Sequence, residues 1–219
     1  MTAIPELLQV LNIKGHIVTI DAMGTQVRRA EQIIKQKGTY VLAVKANQGN
    51  LYEEVVDYFN DAELLEQQGY KKTIEKTRGQ IETREYYQTD DIKWMNEKSR
   101  WKGIQTIGMV QNTIEKDGKV PVERRYYISS EKVDIELFER CCRGHWAIES
   151  VHWHLDVTFR EDAHQTLDKM ANQNLNIIRK WALSILKTIE LSDKPCSLKR
   201  KRFRIGLNPI KYIQKILEI

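Results

Sequence analysis

Asp21 ends the short β-branched run His16–Ile20 (HIVTI), and the carboxyl end of a buried strand is where open α/β sheets hold ligands and catalytic groups. The same position suits an aspartate that caps the following helix, and the strand pattern leaves both roles open. A second set lies in Arg143-Gly-His-Trp-Ala-Ile-Glu-Ser-Val-His-Trp-His-Leu-Asp156. There His145, Glu149, His152 and Asp156 recur at spacings of four, three and four, which on a helix is one face, while Ile148, Val151 and Leu155 take another. Such a stripe either ligates a metal through Glu149 or is a solvated face with helical salt bridges. It is not a metalloprotease helix, because no two histidines at i and i+4 bracket a glutamate. Lys45-Ala-Asn47-Gln48 adds a cation and two amides at the sheet edge that Asp21 occupies, suited to phosphate or base contacts. Asn47 is also placed to cap the next helix. The run Lys199-Arg-Lys-Arg-Phe-Arg204 offers phosphate-backbone contacts that carry no sequence readout.

These residues need elements to position them. Thr2 can cap a helix with Pro5 in its first turn and Leu7, Leu8 and Leu11 on its apolar stripe. His16–Ile20 and Tyr40–Val44 read as buried strands around a helix over Thr25–Lys37, whose inner face is Val27, Ala30, Ile33 and Ile34. That makes a right-handed βαβ unit with parallel strands. Gln48–Asn60 reads as a helix, and Asp61–Gly69 as its tail or a linker. Lys72–Lys76 and Ile81–Tyr87 read as strands, and Ile92–Met95 as a short amphipathic piece. Ile104–Ile114 and Val120–Ile128 then form a hairpin about Lys116-Asp-Gly-Lys119. Helices are expected over Ile135–Val157, over Leu167–Leu191 and from Pro209, with Lys194–Arg204 a basic connector around Pro195. The order predicts an α/β core (1–70), a β-rich antiparallel insertion (71–130) and C-terminal helices (131–219).

Hydrophobic residues at 41% and charged residues at 30% exclude a disordered chain. A net charge of +5 and a pI near 9.0 suit a polyanionic partner. Cys141 and Cys142 are adjacent, a spacing poor for a disulfide or a metal knuckle, which points with Cys196 to a reducing, cytoplasmic setting. Met1–Leu11 lacks the basic and apolar regions of a signal peptide. No apolar run approaches the roughly 20 residues of a membrane helix, so no membrane partner is expected.

The sequence resembles the DDE transposases of the ISAs type, the H-repeat-associated proteins. The likeness runs through Thr2–Leu8, Ile17–Gln26, Tyr40–Gln48, Gly79–Arg84, Tyr126–Ser130, His145–Glu149 and His152–Asp162, in the family's order and over nearly the whole chain. It implies a partial ribonuclease-H-like core in which three carboxylates bind two Mg²⁺ or Mn²⁺ ions about 4 Å apart, for phosphodiester hydrolysis and strand transfer. By motif, Asp21 corresponds to the second carboxylate and Glu149 to the third. The resemblance also implies DNA contacts at Lys45, Asn47, Gln48, Arg84, Arg143, His145 and Trp146. Its implied partners are insertion-sequence ends and either a second copy or a full-length transposase. Two departures stand out. The family's first aspartate lies upstream of the segment beginning at Thr2, which implies a truncated remnant with little or no transposition of its own. Arg78 and Gln80 replace the histidine and arginine usual around Gly79. Two other readings compete: a DNA-binding regulatory fragment that occupies element ends, and an unrelated metal-dependent nuclease drawing a further ligand from Asp156 or Asp162.

Overall fold

The computed structural model describes residues 3–65, 69–77, 79–191 and 196–217, without the side chains of Thr77 and Glu149. The chain divides into two compact units, Met1–His145 and Trp146–Ile219.

The first unit is built on a six-stranded sheet. Strand β1 (Ile17–Ile20) and strand β2 (Thr39–Val44) are parallel neighbours, joined by helix α2 (Val27–Lys35). Strands β3 (Gly69–Thr77), β4 (Gln80–Thr89), β5 (Thr106–Glu115) and β6 (Val122–Ser129) are antiparallel to one another, and β6 returns to pair antiparallel with β2. The order is β1-β2-β6-β5-β4-β3, so the antiparallel strands continue the same sheet. The β5–β6 turn follows its sequence. Asp117 and Gly118 take positive φ (50° and 75°), and Lys116 and Lys119 exchange backbone hydrogen bonds of 2.9 and 3.0 Å, the two-residue turn whose twist matches that of the strands.

Both faces of this sheet are covered. Helix α1 (Ala3–Val10), α2 and helix α3 (Asn50–Asn60) bury Leu8, Ile33, Leu51, Val55 and Phe59 in one core with Leu42, Ile107 and Ile128 of the strands. The β4–β5 connection joins them through Ile92, Met95, Trp101 and Ile104. On the opposite face, Phe138 of helix α5 (Ile135–Trp153) sits edge-on to Tyr86 and Tyr127. Gly108 beneath it is required: an added Cβ would lie 2.5 Å from the Phe138 ring.

Several sequence expectations shift. Helix α2 starts at Val27 rather than Thr25, because Gln26 is extended, which lengthens the loop after Asp21. Helix α5 stops at Trp153 and passes into a π-helical turn, His154–Thr158. The predicted basic connector is largely helix α7 (Leu198–Leu207): the Ser197 hydroxyl accepts the Arg200 amide at 3.4 Å, and Leu, Lys and Arg are good helix formers. The second unit also holds α6 (Lys169–Thr188), capped by Asp168, and α8 (Pro209–Leu217). Helix α4 is the short piece Ala62–Leu65. The Thr2 cap, Arg78, Lys194 and Pro195 lie outside the described residues. Among the described residues, no helix is long and apolar enough to cross a membrane. All three cysteines are free, and burial pushes the Cys142 thiol well above its ordinary range, so it is an inert packing residue.

Candidate functional site

Asp21 follows β1 directly and is exposed at the carboxyl end of the parallel pair. It does not cap α2. Its Oδ1 accepts the Gly24 amide at 2.8 Å, and its carbonyl accepts the Thr25 amide and hydroxyl at 2.9 and 3.0 Å. Helix α2 receives no side-chain cap at all. The carboxylate is therefore held by its own turn, with Oδ2 unpartnered among the described residues. Gly24 makes the turn possible: a Cβ there would fall 2.3 Å from Ile20 Cγ2 and 3.0 Å from Asp21 Oδ1.

Three side chains brace this loop from outside. Arg29 of α2, 3% exposed, donates to the Gly24 carbonyl. Asn47 Nδ2 and Gln48 Nε2 both donate to the Ala22 carbonyl, at 2.9 and 2.8 Å, and Gln48 reaches Thr25 O at 3.3 Å. Asn47 is thus no cap for α3, whose N-cap is Gly49 without a side-chain bond. Gln48 Oε1 in turn accepts the Lys45 amide at 2.8 Å, leaving the Lys45 ammonium exposed beside the loop. A polar cleft of about 260 Å³ adjoins this edge, lined by Met23, Gln26, Asn47, Gln48 and Arg100 among others.

The second element is α5. His145 is half-buried, and its Nδ1 lies 3.2 Å from the Thr19 hydroxyl of β1, two residues before Asp21. Arg84 and Arg143 converge on Glu75: Arg143 at 2.6 Å, Arg84 at 3.2 Å, with Arg84 also 2.6 Å from Glu82. The Arg143 guanidinium first, and Arg84 second, hold the Glu75 carboxyl below its ordinary range. Lys71 completes the network by bridging Glu136 and Glu139, which pins α5 onto β3. Trp146 is half-buried. Glu149 is four residues beyond His145 in the same helix, and its side chain lies outside the described residues. Asp156 falls in the π-helical turn, so the helical stripe is reduced to His145, Glu149 and His152.

The Transposase DDE domain matches residues 1–185 of this sequence. The chain belongs to the DDE transposase family. Its relatives place it in the H repeat-associated type. It is 35% identical to "Putative transposase YncI" of Escherichia coli O157:H7, over 99% of this chain and 56% of that protein. It is 37% identical to "H repeat-associated putative transposase YhhI" of Escherichia coli K12, over 85% of this chain and 51% of the relative. A third relative, the "Uncharacterized protein in dhlA 3'region" of Xanthobacter autotrophicus, is 38% identical over 61% and 45%. The chain spans about half the length of the curated relatives it matches.

For a transposase domain the donor chemistry is suitable: an exposed carboxylate with one oxygen fixed and one open fits a hard divalent cation. Among the described residues, no three His, Cys, Asp or Glu side chains gather as a metal site. Sequence reasoning named Asp21, Asn47 and Gln48 but passed over two residues that set the geometry, Thr19 and Arg29. Arg29 had a signal, since it precedes the buried Ile33 by one helical turn and so places a cation on the inner face of α2. Thr19 had none, because its partner is 126 residues away.

Proposed function

We propose that this chain is the part of an insertion-sequence transposase that supplies the second and third metal-binding carboxylates, Asp21 and Glu149, to a ribonuclease-H-like site. The observation that carries the reading is the Asp21 turn. The family's motif aspartate sits at the carboxyl end of a parallel strand, its carboxylate anchored by Gly24 and its loop braced by Arg29, Asn47 and Gln48. When bound, Mg²⁺ or Mn²⁺ would activate the attacking water or 3′-hydroxyl and stabilise the leaving oxygen. Asp21 and Glu149 would hold the cation, and Asn47 and Gln48 keep Asp21 in place. Lys45, exposed on the same edge, contacts the DNA backbone in this reading, with Trp146 as a further contact. Arg84, Arg143 and His145 act mainly by fixing α5, since each is already engaged within the fold.

The sheet edges support a larger core. The β3 edge carries Lys71, Lys72 and Lys76, charges that discourage further pairing, whereas the β1 edge, Ile17–Ile20, carries none. A ribonuclease-H-like core has further strands beside β1, and the first carboxylate is assigned to that region. The 219 residues alone then hold an incomplete site.

Calorimetry with Mn²⁺ on the wild type, Asp21→Asn and Glu149→Gln, with plasmid nicking in parallel, tests this. Weak binding that either substitution abolishes, with no nicking, is expected. Binding unaffected by both substitutions sinks the assignment, and robust nicking by the wild type sinks the incompleteness.

A further inference from the structure

Charge is spread unevenly along the chain. Residues 1–145 hold 22 Lys and Arg against 22 Asp and Glu, and residues 146–219 hold 13 against 8, so the whole +5 excess lies in the second unit. It is concentrated further. Residues 199–217 contain seven Lys and Arg and no acid, and they fold as α7 and α8.

Two of the seven are used to hold α7 in place. Lys201 Nζ donates to the Leu186 carbonyl of α6 at 3.0 Å, and Arg202 donates to the Thr158 carbonyl with its guanidinium 5.3 Å from the centre of the Phe159 ring. Lys199, Arg200, Lys211 and Lys215 remain exposed, and none has an ion-pair partner among the described residues. A surface helix ordinarily sets an acid three or four residues from each cation. No Asp or Glu lies three or four residues from Lys199, Arg200 or Lys211, whereas Glu218 follows Lys215 by three, so the unneutralised charge is concentrated on α7 and the start of α8, a self-repelling arrangement that a polyanion relieves. Phe203 is 65% exposed between these cations, which adds an aromatic surface to the patch.

We propose that the exposed side of α7 and α8 binds the phosphate backbone of duplex DNA without sequence preference, a non-specific grip made by residues other than those of the Asp21 loop. DNA is chosen over other polyanions because the chain belongs to a transposase family, so the inference rests on that reading. Its test does not depend on the metal site.

Fluorescence anisotropy of the full chain with two 30-base-pair duplexes of unrelated sequence, across a salt series, gives the affinity and its salt slope. The Lys199→Gln/Arg200→Gln pair should weaken binding to both duplexes equally and reduce the log–log salt slope by about 2, at roughly 0.9 per phosphate contact. Lys116→Gln/Lys119→Gln removes the same charge from the β5–β6 turn and should leave the slope unchanged. If the α7 pair fails to fold by circular dichroism, Lys211→Gln replaces it, with a slope change of about 1. The proposal is overturned by an unchanged slope in the α7 variants or by an equal change in the turn variants. It is also overturned if the α7 variants lose binding to anionic phosphatidylglycerol vesicles but keep binding to DNA. Loss of duplex binding with Mn²⁺ binding intact confirms this surface and leaves the metal reading standing, and the two can fail separately.

Discussion

The two units spend their apolar residues differently. In residues 1–145 a sheet is buried on both faces, and among the described residues 27 of the 31 buried apolar ones lie there. Residues 146–219 contribute four, Leu155, Leu183, Leu186 and Ile189, while Leu167, Trp181 and Ile210 are 98%, 70% and 84% exposed. The first unit therefore holds its stability in a packed interior, and the second holds its helices together with few buried contacts. Ile128→Ala should be the most damaging change, costing about 2–5 kcal/mol, because Ile128 is fully enclosed between β2 and β5. Trp181→Ala, a larger truncation at an exposed site, should stay within about 0.5 kcal/mol. Urea unfolding followed by circular dichroism measures both, and equal losses would break the comparison.

The same contrast explains what could be read in the sequence. Strands β1, β2, β5 and β6 were legible because each is a short β-branched or aromatic run, and the Asp117-Gly118 turn fixes one register on its own. The pairing of β6 with β2 was not, since no local pattern says which strand the hairpin joins. The place of Asp21 at the end of β1 was legible from the strand pattern, which left open whether it caps a helix or serves a site. Its turn onto Gly24 was hidden, because the competing role of helix cap leaves the same local pattern. Helix α7 was missed because a run of cations reads as a loop unless the Ser197 cap is given its weight. His145 shows the general difficulty: nothing local to its sequence says that its Nδ1 lies against the Thr19 hydroxyl of β1.

Gly24→Ala sharpens the comparison inside the first unit by asking whether the Asp21 turn is part of the packed core. The added methyl would meet Ile20 Cγ2 at 2.3 Å, and Ile20 is itself buried, so the loop or the strand must shift. A cost of about 1–3 kcal/mol in urea unfolding is expected, as for other overpacked sites. Mn²⁺ binding should weaken with it, because Asp21 Oδ1 lies 3.0 Å from the new atom. Unchanged stability would show that the turn relaxes freely and is not braced by its neighbours.

A smaller effect than that of Gly24→Ala concerns the tie between α5 and the sheet. Glu75 joins Arg143 of α5 to Arg84 of β4, and both cations lower its carboxyl group's pKa, Arg143 the more. A depressed carboxyl pKa contributes stability that is present above the ordinary carboxylate value of 4.5 and is lost as the pH falls through the lowered folded value. Glu75 is 40% exposed, so solvent screening limits the contribution to about 0–1 kcal/mol. Glu75→Gln should therefore lower the urea midpoint slightly at pH 7, with wild type and variant converging as the solution is taken below the carboxylate range. A difference that persists in acid would mean that the glutamine disturbs packing, and the ion pair would then not be what holds α5 to β3.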